Sequence, residues 1–269
     1  MKIEHAREFI NQFEKFYFDD SDLKDDDFKS VGLPKTLNRT NRKLEEYIVE
    51  NKLQEGIFDE EAFAWKAGKA GWDKGFVYAK PLPKKWVNGN GGSIKQNKKQ
   101  NKDSETFTEE RFKTYVRDNK VEIDELNLKS PEDRKKLFIE IKDKYDLDNY
   151  GTVYIINHMF FLSQGAVPIY DYYAHVAVKA LFMNKSPLEV YVGAPGKNDH
   201  PKGGKGLEKD KKEKIKNEYL AVNTLEEYMW LLNEVFPNEI HENGNVMYIS
   251  RQLDRALWVY GHATKRWPC

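Results

Sequence analysis

Apolar residues in this sequence recur mostly at spacings of three and four positions, and alternating apolar runs are rare. That spacing lines up side chains on one side of an α-helix, whereas a half-buried strand would need alternation. We therefore predict a mainly α fold. The expected helices span residues 5–18, 41–52, 59–68, 108–119, 131–145, 151–163, 168–183, 224–236 and 246–264, and a short strand or strand pair is expected near residues 76–79.

The stretch around Gly165 separates two of these helices. Residues 152–162 are apolar on nearly every side, which predicts a buried helix, and Pro168 suits the first turn of the next one. Asp171 would then lie near the start of that helix, where the helix dipole and free N–H groups stabilise a carboxylate. His175 and Lys179 follow at intervals of four. Asp171 is therefore either an ordinary acid at a helix start or a side chain aimed into a pocket.

Charge is segregated along the chain although the totals balance. Lys plus Arg and Asp plus Glu both number 44, which excludes a uniformly basic nucleic-acid-binding protein. Residues 80–102 nevertheless contain seven lysines and no acid. The stretches 84–104 and 196–217 lack apolar periodicity and predict long basic loops, either solvated linkers or clamps for a phosphate backbone. The first loop suggests a division into residues 1–104 and 105–269, with a single domain as the alternative.

The C-terminal helix has two contrasting faces. Its predicted core face consists of Val246, Ile249, Leu253, Ala256, Leu257 and Tyr260. The opposite stripe carries Arg251, Arg255, Trp258 and His262. Cations beside an aromatic ring suit phosphate neutralisation and base stacking, as in nucleic-acid binding. The alternatives are that the N-terminal helices cover this stripe or that it is a solvated face.

Several function classes lack their sequence signals. The sequence has no Walker phosphate loop, no dinucleotide glycine fingerprint and no zinc-protease or nucleophile-elbow motif, so we expect neither a cofactor nor a metal. The one cysteine, Cys269, cannot form an internal disulfide, which indicates a reducing compartment. The start of the sequence lacks the apolar core of a secretory signal, and no apolar run approaches a membrane span. We expect a cytoplasmic protein without a membrane partner.

Two stretches resemble the helix-hairpin-helix DNA glycosylase superfamily, especially its 8-oxoguanine-glycosylase-like branch. In "AVPIYDYYAHVAVKAL" a Val-Pro elbow leads into a helix, and "RQLDRALWVYGH" is similar to the last helix of bacterial glycosylase-fold proteins. The resemblance covers residues 150–182 and 245–262. The family's helical hairpin is missing or degenerate, since only "LSQGAV" precedes the elbow. The implied architecture is a multi-helix glycosylase-like fold with long basic loops.

The resemblance implies an activity on double-stranded DNA. The essential aspartate of the family falls on Asp171, which would stabilise the positive charge on the departing sugar and activate water. No lysine lies between Lys144 and Lys179, so simple hydrolysis is expected rather than an amine-bound intermediate. The target would be a damaged or modified base, removed in repair or in antiviral defence. The alternative is a helical nucleic-acid-binding or regulatory module without catalysis.

The resemblance also suggests roles for other side chains around the flipped base and the phosphates. The pocket would be lined by Tyr154, His158, Tyr170, His175, Trp258 and His262. The phosphates would be held by Lys84, Lys85, Lys98, Lys99, Arg251 and Arg255. For His158 the alternative is a neutral imidazole satisfied by hydrogen bonds in the core.

Overall fold

Helices dominate the computed structural model, which confirms the mainly α prediction: more than half of the described residues are helical and few are in strands. The structure describes residues 1–80 (except 36, 38 and 67), 133, 136, 140, 156–157, 159–161, 164–165, 168–169, 171–190, 222–239, 241–242, 246–247 and 249–268. The predicted helix at 108–119, both basic loops and the predicted boundary at residue 104 lie outside these residues.

The described residues among the first eighty form four helices and one hairpin. In chain order these are α1 (Ala6–Phe13) with a 3-10 turn (Glu14–Phe16), α2 (Asp25–Val31), α3 (Arg42–Ile48) with a π-helical turn (Val49–Leu53), α4 (Glu60–Lys66), β1 (Ala70–Trp72) and β2 (Phe76–Tyr78). The strands β1 and β2 pair antiparallel. The strand pair predicted near residues 76–79 is therefore present.

From Tyr172 onward the described residues add four helices and a second small hairpin. These are α5 (Tyr172–Phe182), α6 (Pro187–Val190), α7 (Val222–Val235), β3 (His241–Glu242), β4 (Val246–Met247) and α8 (Arg251–Tyr260). The strands β3 and β4 pair antiparallel.

The chain forms two compact units. One consists of Met1–Glu45 and Gly165–Cys269, and the other of Glu46–Gln164. In the first unit α8 packs against α5 and α1, while α7 and α6 pack against α5.

Helix α1 joins the core of the first unit through three residues at helical spacing. Ala6, Phe9 and Phe13 are buried. The Phe9 ring meets Tyr260 edge-on, with 5.5 Å between ring centroids, and Phe236 in the same way at 5.6 Å. Edge-to-face aromatic pairs stabilise a core beyond their buried area. The helix predicted at residues 5–18 therefore packs against the C-terminal part of the chain.

Helix α2 was missed because its only buried residue is Phe28. The helix starts with three aspartates, which the positive end of the helix dipole favours. Asp27 also accepts a hydrogen bond from the Lys24 backbone N–H at 2.7 Å. Gly32, in the left-handed conformation with φ of 75°, ends the helix. This acidic stretch has few apolar residues to indicate a helix, and its helical structure is instead stabilised by the interactions at its two ends.

The predicted helix at 246–264 begins too early. Residues 246–247 form a strand, and α8 begins at Arg251 behind the cap Ser250, whose hydroxyl accepts a hydrogen bond from Leu253 N–H at 3.2 Å. Of the predicted core face, Leu253, Ala256, Leu257 and Tyr260 lie on α8 and are buried. Ile249 is buried but precedes the helix, and Val246 lies in β4.

The second unit has its own aromatic core. Phe161 lies in a helical stretch and packs against Phe58 and Trp65, with 5.3 and 5.8 Å between ring centroids. Phe63 and Phe161 are fully buried. The described part of the predicted helix at 151–163 is therefore helical and buried, as its apolar character indicated.

Candidate functional site

Asp171 is the N-cap of α5. Its backbone is extended, and its Oδ1 accepts a hydrogen bond from the Ala174 backbone N–H at 3.0 Å. Pro168 and Ile169 precede the helix, so the prediction that Pro168 occupies the first helical turn was wrong. The side chain of Asp171 is able to cap the helix itself, so α5 begins at Tyr172, four residues beyond the predicted start at residue 168. The half-buried carboxylate is thereby held in a defined orientation at a helix N-terminus.

His175 lies one turn further along α5 and is buried. Burial lowers the pKa of His175 to about 4, because the interior disfavours the charged imidazolium; Glu227 opposes this shift and Lys179 adds to it. Lys179 itself pairs with Glu227 at 3.3 Å. His175 is therefore neutral near pH 7, and its backbone N–H donates to the Asp171 carbonyl oxygen at 3.0 Å.

The neutral state of His175 makes stability depend on pH. Its pKa is near 6.5 in the unfolded chain and about 4 in the folded one, so the unfolded state binds the extra proton between these values. Stability is complete above pH 6.5 and falls as the pH drops toward 4. We expect the free energy of unfolding to fall by about 2 kcal/mol from this group between pH 7 and pH 5. Urea unfolding of the wild type and of His175→Gln at both pH values measures the difference; identical pH slopes would contradict it.

Tyr228 is a buried residue that the sequence did not single out. It lies on α7, has no exposed surface, and its ring centroid is 6.3 Å from that of His175. Burial raises the pKa of Tyr228 well above its usual value, and the carboxylates of Asp254 and Asp171 raise it further. The phenol thus lies within electrostatic reach of Asp171. The sequence contains a signal for this burial, because Tyr228 shares one helix face with Leu231, Leu232 and Val235.

The two arginines of α8 are neutralised within the first unit. Arg251 Nε donates to Glu45 Oε1 at 2.8 Å, and Arg251 also pairs with Asp254. Arg255 Nε donates to Glu14 Oε1 at 2.9 Å, and its Nη1 donates to Glu45 Oε1 at 3.4 Å. Both arginine side chains are at most 15% exposed. The N-terminal helices cover this face, which was one of the alternatives for it.

Glu45 is the centre of this charged cluster. Its side chain is 2% exposed and also accepts a hydrogen bond from Tyr17 Oη at 3.3 Å. Burial raises the pKa of Tyr17, and the charge of Glu45 raises it further, so the phenol stays protonated. Arg251 Nη2 donates to the same Tyr17 oxygen at 3.0 Å. We name Glu14, Tyr17, Glu45, Arg251, Asp254 and Arg255 the arginine–carboxylate cluster.

Trp258 and His262 lie on the same stripe and pack against α5. The His262 ring stacks on the Tyr173 ring with 3.6 Å between ring centroids, and the centroids of the Trp258 and His262 rings are 4.4 Å apart. His262 Nδ1 is 2.9 Å from the Trp258 carbonyl oxygen, so Nδ1 carries the proton and donates it to that bond. His262 is buried. The two residues therefore fix the contact between α8 and the first turn of α5, directly after Asp171.

Gly261 allows α8 to approach α5 closely. Its backbone is right-handed helical, which alanine also adopts, but a Cβ atom would lie 2.7 Å from the Tyr173 carbonyl carbon and in closer contact with the oxygen. Such an atom has room only if the helices separate.

We expect Gly261→Ala to destabilise the chain by about 3 kcal/mol, the upper end of typical overpacking, because the obstacle is backbone. Urea unfolding monitored by circular dichroism measures the change. Gly75→Ala is the matched control, since no atom lies within 4 Å of its added Cβ, and it should change stability by less than about 0.5 kcal/mol. Equal effects of the two substitutions would refute the close-packing argument.

The remaining predicted site residues lie outside the described residues. These are Tyr154, His158, Tyr170, Lys84, Lys85, Lys98 and Lys99. Among the residues that the structure describes, Asp171, His175, Trp258 and His262 all lie on α5 or α8 or at their ends, and these two helices pack together.

Three further findings concern ligands, membranes and known proteins. Within the described ranges, no group of three or more His, Cys, Asp or Glu side chains could hold a metal ion. No described helix has both the length and the apolar character needed to cross a membrane. The chain matches no protein-family model, and neither a curated protein nor a solved structure matches it significantly.

Proposed function

We propose that this chain is a glycosylase-like enzyme that hydrolyses the N-glycosidic bond of a damaged or modified base flipped out of double-stranded DNA. The observation that carries the proposal is the position of Asp171, a half-buried carboxylate at the N-terminus of α5 whose orientation is fixed by the Ala174 N–H. A fixed carboxylate at a partly open helix start suits a reaction in which positive charge develops beside it.

The proposed reaction breaks the bond between the sugar C1′ and the base nitrogen. The electron pair of that bond leaves with the base, which takes up a proton, and the sugar becomes an oxocarbenium-like cation. Asp171 stabilises this cation and accepts a proton from the attacking water, which forms the new C1′–O bond. The products are the free base and an abasic site. No covalent enzyme intermediate and no cofactor are needed.

The packing next to Asp171 suits a catalytic role for this residue. Tyr173 and His262 stack on each other directly beyond the helix start, and Trp258 packs on them. Gly261 and Tyr173 bring the two backbones together. The first turn of α5 is therefore anchored to α8, and a catalytic group gains from being held on rigid elements.

Phosphate binding in this proposal rests on the lysine-rich stretches. Arg251 and Arg255 already pair with carboxylates, so we assign them to the arginine–carboxylate cluster rather than to DNA. Lys84, Lys85, Lys98 and Lys99 keep the proposed role of contacting the DNA backbone. Each phosphate contact releases counterions, so binding that depends on these lysines weakens as salt rises.

The direct test is the formation of abasic sites. The full chain is incubated with duplexes that each carry one damaged or modified base and with DNA from phages that contain modified bases, and strand breaks are counted after alkali treatment. Alkali-sensitive sites that require the chain support the proposal. Their absence on every substrate would refute the enzymatic assignment.

The second candidate is a non-catalytic helical module that binds nucleic acid or regulates a partner. It is favoured by the observation that Asp171 already has a structural task as the cap of α5. A salt series of DNA binding by a chain without abasic-site activity separates the candidates. A steep salt dependence without catalysis supports the module, while a flat dependence argues against phosphate binding by the lysines.

A further inference from the structure

The hairpin β1–β2 in the second unit carries an aromatic face. Trp72 pairs with Phe76 and Ala70 pairs with Tyr78 across the two strands. Since side chains alternate along a strand, Trp72, Phe76 and Tyr78 lie on one side of the hairpin. Tyr47 adjoins them, with 5.7 Å between its ring centroid and that of Trp72 and 5.8 Å to that of Phe76. We name these four residues the hairpin aromatic face.

The hairpin aromatic face is accessible. Tyr78 is 47% exposed and the other three rings are half-buried. The residue opposite Tyr78 is Ala70, whose methyl group covers little of the ring. The Phe76 and Tyr78 rings meet edge-on with 5.2 Å between centroids. Grouped aromatic rings that stay partly accessible are a common feature of interaction sites.

Carboxylates lie close to two rings of this face, Tyr47 and Tyr78. Glu61 accepts a hydrogen bond from Tyr47 Oη at 2.7 Å, which raises the pKa of Tyr47. Burial raises the pKa of Tyr78, and the charges of Glu60, Glu61 and Asp59 raise it further. Rings that lie in the field of several carboxylates attract cations through both the ring quadrupole and the charge, and they repel phosphate.

The chain already binds one ammonium group with this chemistry. Lys52 Nζ lies 2.6 Å from Asp59, 2.8 Å from Glu61 and 5.9 Å from the Tyr47 ring centroid. Desolvation lowers the pKa of Lys52, but the hydrogen bonds to the two carboxylates more than offset it and hold the pKa above its usual value. One lysine faces two carboxylates here, so this group of three side chains carries one net negative charge.

We propose that the hairpin aromatic face binds a lysine- or arginine-bearing segment of a partner protein, with a cationic side chain over the Tyr78 ring and its charge toward the carboxylates. Charge complementarity selects this occupant. A nucleic-acid strand could stack its bases on the same rings, but its phosphates would meet Asp59 and Glu61. The proposal is independent of the proposed function, since it concerns residues of the second unit alone.

The test measures binding of a fluorescein-labelled heptapeptide of alternating lysine and glycine to the full chain by fluorescence anisotropy. We expect saturable binding that weakens with salt. Tyr78→Leu should raise the Kd at least about fivefold, and Tyr78→Lys should raise it further by repelling the ligand. Tyr78→Phe keeps the ring and should stay within about twofold of the wild type. Val77→Ala is the matched control, because Val77 is exposed on the opposite side of the same strand.

Several outcomes would overturn the proposal. The first is an absence of saturable binding, or equal binding of a peptide with glutamate in place of lysine. The second is a Kd that Tyr78→Lys leaves unchanged while circular dichroism shows the variant folded. The third is Tyr78-dependent binding of a single-stranded oligothymidylate in preference to the lysine peptide, which would identify the rings as a base-stacking surface instead.

Discussion

Replacing Asp171 by asparagine is expected to lower the rate of base release by about 100- to 10,000-fold, the range over which general acid–base groups act. Asparagine keeps a side-chain oxygen for the Ala174 N–H, so α5 retains its cap. It carries no charge and accepts no proton from water. The substitution therefore removes the proposed chemistry and leaves the local fold intact.

The measurement is single-turnover formation of abasic sites, run beside urea unfolding of each variant. Asp171→Ser is the matched control for capping, because serine caps a helix as well as aspartate does and also lacks the carboxylate. It should be as inactive as the asparagine variant and nearly as stable as the wild type. Asp171→Ala should lose about 1 kcal/mol of stability as well. If the asparagine variant forms abasic sites at the wild-type rate, Asp171 is a cap and not a catalytic residue.

The helical class of the fold could be predicted from apolar spacing because that spacing reflects what each helix buries. Phe9 and Phe13 on α1 and Leu253, Leu257 and Tyr260 on α8 are buried as their spacing indicates. This inference is local, since it needs only the residues of one helix. It locates helices and their buried faces without specifying which helices pair.

The starts of helices were harder to predict than their buried faces, because a side-chain cap, and not the apolar pattern, determines where a helix begins. Asp171 and Ser250 each accept a hydrogen bond from the third residue beyond them, and each helix begins after its cap. Apolar residues before a cap, such as Ile169 and Ile249, extend the periodic pattern beyond the true helix. The Asn243-Gly244 pair was a usable signal that a helix could not run through residues 246–247, because Asn-Gly favours a hairpin turn.

The surroundings of the candidate site could not be predicted because they depend on partners remote in sequence. The cationic stripe of α8 was visible, but Glu45 and Glu14 lie 206 and 241 positions from the arginines that they bind. Nothing in the sequence near Arg251 identifies those carboxylates. An open binding face and a face covered by other helices would show the same local sequence pattern. Only the tertiary structure distinguishes the two interpretations of this stripe.

Asp171 and the arginine–carboxylate cluster are linked through α8. Arg251 and Arg255 lie on α8 and pair with Glu45 and Glu14 of the N-terminal part of the chain. Helix α8 also packs against α5, the helix that Asp171 caps. The N-terminal helices therefore contribute to the orientation of the helix that supports the proposed active site. Disrupting the arginine–carboxylate cluster should therefore lower the stability of the first unit.

Replacing Glu45 by alanine is expected to destabilise the chain by about 4 kcal/mol, because it breaks two buried ion pairs and takes away the acceptor that several buried donors share. Both Arg251 and Arg255 donate to Glu45 Oε1, and Tyr17 loses its acceptor as well. Urea unfolding at pH 7 measures the change in the free energy of unfolding. A double-mutant cycle with Arg251→Met separates the pair from the packing of each side chain.

Lys29→Ala is the matched control for Glu45→Ala, because it breaks the Lys29–Asp26 ion pair, whose side chains are 66% and 92% exposed. Water screens that pair, so its loss should change stability by less than about 1 kcal/mol. Glu45→Gln should fall between the two, since the amide oxygen still accepts a hydrogen bond but forms a weaker one with the arginines than a charged carboxylate does. If Glu45→Ala costs no more than Lys29→Ala, the arginines have other compensation and the cluster does not anchor the N-terminal helices to α8.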